Sequence, residues 1–109
     1  MIQRPTQVKI LGQKYKIKYD LPRTADNGDA LGETDQETNT IRIQPHLQED
    51  KMASVLLHEI THATIDESAM NTRKRFNIEE VCDIVGYHVL SVLKDNASVL
   101  VWLIKEIEE

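Results

Sequence analysis

Between Met52 and Ile65 the chain carries a single charged residue, Glu59. Placed on a helix, Met52, Ala53, Leu56, Leu57, Ile60 and Ala63 cover one side, while Val55 and Ile65 flank the opposite one. A helix that is apolar on two sides has to be packed from two sides. This segment is therefore expected near the centre of the fold, beginning at Glu49 or Asp50, acids that suit a helix N-terminus, and running to about Glu67.

What precedes it alternates with the period of a strand. From Val8 to Tyr19 the inward candidates Tyr15, Ile17 and Tyr19 are interleaved with lysines, and Gly12-Gln13 offers a hairpin turn. Residues 20–40 are polar and read as loop, with a short strand near Leu31 to Thr34 and a turn around Gln36 to Asn39. Thr40-Ile41-Arg42-Ile43 alternates again and reads as a short edge strand stopped by Pro45. After a polar loop from Ser68 to Asn77, a second helix is expected from Ile78 to Lys94. Asp95-Asn96 breaks it, and Asn96 is placed to cap a last helix from Ala97 onward. Strands first and helices after describe an α+β domain, with a small, mostly antiparallel sheet of three or four strands against three helices. At 109 residues the chain is expected to form one domain, 1–109.

Charge narrows the partners. Thirteen basic against 18 acidic residues leave a net charge of -5, and the excess lies wholly in residues 52–109, which hold five basic and ten acidic side chains. Nucleic acid and anionic membrane both favour a concentrated positive field, so neither is expected as the main partner. A single cysteine, Cys82, rules out an internal disulfide framework. With no secretory-type apolar run at the N-terminus, the expected setting is soluble and cytoplasmic.

The central helix contains His58-Glu59-Ile60-Thr61-His62. Residues four apart share a helix face about 5–6 Å from one another, so two imidazole nitrogens can converge on one zinc. Glu59 lies about 100° around from His58, beside such a metal, where a base for an activated water would stand. A helix with two solvent-facing histidines is the plain alternative, and the apolar flanks argue against it. Candidates for a third ligand are Glu79, Glu80, Asp83 and His88 on the second helix, Asp66 and Glu67 on the first, and His46 upstream. On a wheel of the second helix, Glu79 stands at the edge of an apolar arc formed by Ile78, Val81, Cys82, Val85, Gly86, Val89 and Val92, whereas Glu80 points nearly opposite the arc's centre. Glu79 is thus the favoured ligand. Asp83, one turn on, is placed to hydrogen-bond the free nitrogen of a ligating imidazole.

His58 to Asp66 resembles the active-site helix of zincin metallopeptidases, and Glu79-x-x-x-Asp83 resembles the second motif of their gluzincin branch. With its small size and upstream strand, the chain looks most like compact ImmA/IrrE-type and related phage-encoded metallopeptidases, over roughly residues 31–96. The resemblance implies a minimal zincin fold with zinc on His58, His62 and Glu79, Asp83 supporting a ligand, and Glu59 as general base in peptide-bond hydrolysis. It also implies a protein or peptide substrate, which could pair with the strand Thr40 to Ile43. A metal-binding regulatory or interaction protein with little turnover is the competing expectation.

Other features read as structural. Cys82, mid-arc, is expected in the core, as is the Val99, Trp102, Leu103, Ile107 stripe. Tyr15, Tyr19, Tyr87 and His88 could stabilise an oxyanion but fit structural roles better. Asp66 could support His62 or cap the helix end, and Arg73-Lys74-Arg75 reads as a solvated loop.

Overall fold

The computed structural model describes residues 4–22, 31–68, 79, 82 and 84–108. Four strands, β1 (Gln7–Ile10), β2 (Gln13–Lys18), β3 (Gly32–Asp35) and β4 (Thr40–Ile43), precede a 20-residue helix α1 (Glu49–Ser68). A π-helical segment (Ile84–Val89) then runs into α2 (Leu90–Asp95), and α3 (Ala97–Glu108) ends the described chain. The expected α+β order is the observed one. Among the described residues, no helix is long and apolar enough to cross a membrane.

The first hairpin turns one residue earlier than its glycine suggests. Leu11 (φ 48°) and Gly12 (φ 90°) both take positive φ, and Ile10 pairs with Gln13 across the turn. Two successive positive φ values belong to the two-residue turns whose twist matches a β-ribbon. The resulting register sends Val8, Ile10, Tyr15 and Ile17 to the core.

The sheet order is β1-β2-β4-β3, with β1/β2 and β3/β4 antiparallel and β2/β4 parallel. This corrects the placement of Thr40–Ile43 at an edge. A turn at Gln36 to Asn39, with Asn39 at φ 48°, folds β3 back along one side of β4 while β2 takes the other. All four residues of β4 are buried, Arg42 included. The short polar-apolar alternation looked like an edge strand, but it describes only which side chains face the helices.

Ile17, Ile41 and Thr34 are register partners, as are Ile43 and Gly32, so Thr34 and Gly32 share the face that meets α1. Against this face α1 lays Met52, Leu56, Ile60 and Ala63; α2 and α3 complete the core with Val92, Val99, Trp102 and Leu103. The Val99–Leu103 part of the last stripe is core, as expected; the side chain of Ile107 lies outside the described residues. Hydroxyls inside α1 fold back on the preceding turn: Thr61 donates to Leu57 O (2.9 Å), Thr64 to Ile60 O (2.7 Å) and Ser68 to Thr64 O (2.7 Å). That is how a fully buried Thr64 is tolerated.

The second helix departs from the wheel drawn for it. Ile84 and Val89, five apart, are both buried, while Val85 is 49% exposed and Cys82 is exposed. A π-helix closes i→i+5 instead of i→i+4, so each residue turns through less than 100°, and a wheel drawn at 100° per residue rotates the wrong side chains inward. Cys82, which precedes this segment, is exposed, correcting its assignment to the core.

Asn96 also differs from expectation. Its side chain does not cap α3. Oδ1 accepts from Lys9 N (2.8 Å), and Nδ2 donates to Lys9 O (2.7 Å) and to Val92 O (2.6 Å). The amide thereby acts as a one-residue strand on the outer edge of β1.

Candidate functional site

His58 and His62 project from the same face of α1, four residues apart, and their Nε2 atoms lie 3.1 Å from each other. The rings meet edge to face, with centroids 4.6 Å apart and planes at 73°. Two nitrogens each about 2.0–2.1 Å from a tetrahedral ion stand about 3.3 Å apart, so the pair already has the spread of two ligands on one cation. The donor set suits zinc, which takes neutral imidazole readily.

Both histidines are exposed, which corrects the expectation that α1 is buried on the histidine side. They line a cleft of about 490 Å³ together with Ser54, Leu57, Thr61 and Ile65. Of the two apolar flanks expected beside the histidines, Ile65 lines this cleft; Leu57, expected on the opposite side, lines it too, and both are half-buried. A second cleft of about 370 Å³, lined by Leu31, Gly32, Lys51, Ser54, Val55, His58 and Glu59, adjoins it across Ser54 and His58.

Glu59 turns away from the histidine face toward β3 and is only 7% exposed. A buried carboxylate needs a partner, and Thr34 supplies one: its Oγ1 donates to Glu59 Oε1 (2.8 Å), with Glu59's own carbonyl at 3.2 Å. Oε2 lies beside Gly32, and a Cβ built on that glycine would stand 3.1 Å from Oε2, 3.1 Å from Cγ and 2.7 Å from Val55 Cγ1. The absence of a side chain at position 32 is what lets strand and helix close around the carboxylate. Neither Gly32 nor Thr34 stands out in the sequence as a site residue. The signal was there in principle: along β3 the inward positions are a glycine and a hydroxyl, where the paired positions of β4 carry isoleucine.

The other candidates fall in different places. Glu79 is helical and exposed, and among the described residues no third His, Cys, Asp or Glu forms a metal-holding group with His58 and His62. Glu80, Asp83 and the Arg73-Lys74-Arg75 loop lie outside the described residues. His88 joins the π-helical segment to the end of α1, its Nδ1 2.8 Å from Ser68 Oγ. Asp66 is half-buried; burial pushes its carboxyl above the ordinary range and the nearby His62 pulls it back.

Neither inward tyrosine serves the clefts. Tyr15 is fully buried and donates to Glu67 Oε1 (2.6 Å), and burial together with that bond holds its hydroxyl well above the usual tyrosine range. Tyr19 donates to Pro5 O (2.7 Å) beneath the guanidinium of Arg4, and Tyr87 is 72% exposed. Tyr15 and Tyr19 are thus structural, as expected.

The arrangement brings together two convergent imidazoles and a carboxylate, one residue from the first imidazole, that opens into an adjoining cleft. No family model, curated protein or solved structure matches the chain.

Proposed function

We propose that this protein is a zinc-dependent metallopeptidase that hydrolyses a peptide bond in a protein or peptide substrate. One observation carries the reading: His58 and His62 present their Nε2 atoms 3.1 Å apart, and the residue next to His58, Glu59, is a buried carboxylate lining a cleft that His58 also lines. His58 and His62 would hold the metal, and Glu79 is the third ligand we expect, with Asp83 supporting an imidazole. When bound, zinc supplies the Lewis acidity that makes water nucleophilic near neutral pH and polarises a scissile carbonyl.

The chain's own groups do the rest. Glu59 receives the proton of the attacking water and returns it to the departing amine. Its Oε2, beside Gly32 in the second cleft, is the oxygen available for that transfer. An extended substrate would lie along β3, because β4 is hydrogen-bonded on both sides and β3 ends the sheet next to Glu59.

Turnover of a peptide library by zinc-loaded wild type and by Glu59→Gln tests this. Expected is loss of activity by about 10²–10⁴-fold in the variant with zinc content unchanged, and loss of zinc in His58→Ala and His62→Ala. Zinc binding without turnover in the wild type would make the protein a metal-binding regulatory or interaction factor, and failure to bind zinc would end both readings.

A further inference from the structure

We infer that Thr34, on the terminal strand β3, is a positioning residue for Glu59: it fixes one carboxylate oxygen so that the other faces the cleft in a single orientation. The inference rests on the proposed peptidase reading and adds a residue 25 positions from Glu59 in sequence.

Left to itself a glutamate carboxylate is poorly ordered, because its terminal torsion is broad and close to two-fold. Here the two oxygens are made unequal. Oε1 accepts from Thr34 Oγ1 at 2.8 Å, while Oε2 makes no hydrogen bond among the described residues and lies against Gly32. Gly32 and Thr34 are alternate residues of one strand and face α1 together, so the same four-residue element closes over the carboxylate and ties it down. Thr34 is itself stiff. Its β-branched side chain has few rotamers in a strand, and its hydroxyl is drawn to two oxygens of the same residue, Oε1 and the main-chain carbonyl.

The chemistry of the position is informative. Thr34 lies opposite Ile41 on the helix-facing side, where packing alone would favour valine or isoleucine, of nearly the same shape. A hydroxyl there serves the carboxylate. Holding a proton-transfer group within a narrow range of orientations before substrate arrives removes a reorganisation cost from the reaction itself, and the benefit appears in kcat rather than in KM.

Two measurements test this, one on the metal-free protein. In urea unfolding, Thr34→Val should lower the midpoint when Glu59 is present and have little effect in a Glu59→Ala background; additive shifts would overturn the contact. In the zinc-loaded protein, Thr34→Val should lower kcat about tenfold or more with KM within about twofold and zinc content unchanged. Thr34→Ser, which restores the hydroxyl, should recover most of the lost rate. Unchanged kcat in Thr34→Val, or an equal loss in Thr34→Ser, would overturn the assignment while leaving the peptidase reading intact. A wild type without turnover, even with non-additive midpoints, would instead overturn the peptidase reading, and the positioning role would fall with it.

Discussion

A Cβ at position 32 has nowhere to go. It would meet Val55 Cγ1 at 2.7 Å and both Cγ and Oε2 of Glu59 at 3.1 Å, and Val55 sits on the rigid central helix. Gly32→Ala is expected to cost about 1–3 kcal/mol of overpacking, seen as a lower urea midpoint, and to displace the Glu59 carboxylate. Tyr19 allows a prediction in pH. Burial pushes its hydroxyl up to about 12, with Arg4 pulling the other way. The folded state therefore holds this proton longer than the unfolded chain, whose tyrosines ionise near 10. Its contribution is fully present below about pH 10 and is lost as pH rises through about 12. Urea midpoints measured from pH 9 upward should fall more steeply in the wild type than in Tyr19→Phe. At this scale the sequence was readable where chemistry depends on local spacing: His58, Glu59 and His62 occupy one and a bit turns of one helix. Thr34 was not, because its partner is brought near only by sheet register.

Elements were legible wherever their period was ordinary. Alternation located β2 and β4, and the apolar run located α1 to within a residue of its observed ends. Three features escaped. The order of strands depends on which chain segment crosses to pair in parallel, and alternation carries no such information, so β4 was placed at an edge. The π-helical segment winds more loosely than a wheel of 3.6 residues per turn assumes, and this misplaced Val85. Asn96 has the composition of an N-cap but spends its side chain on β1. Asn96→Ala would remove three hydrogen bonds, two of them to Lys9, and should cost about 1–3 kcal/mol. Hydrogen exchange provides the sharper readout: the Lys9 amide should lose protection ahead of amides in β4.

For the molecule as a whole, the largest side chain that ties the last helix into the core is Trp102. Trp102, the chain's single tryptophan, is 1% exposed within the same core cluster as Ile10, Tyr15 and Leu56. Trp102→Ala should cost about 3–5 kcal/mol, a large share of what holds a domain of this size together, and lower Tm by about 15–30 °C. In the wild type its emission should be blue-shifted and move red in one step with loss of helical circular dichroism; separate transitions would mean that α3 unfolds independently. The amide of Asn96 on Lys9 has a consequence beyond stability. It occupies both outward backbone groups of Lys9 on the outer edge of β1, so a strand annealing to that edge would first have to displace the amide. A single asparagine thus guards one margin of the sheet against edge-to-edge association.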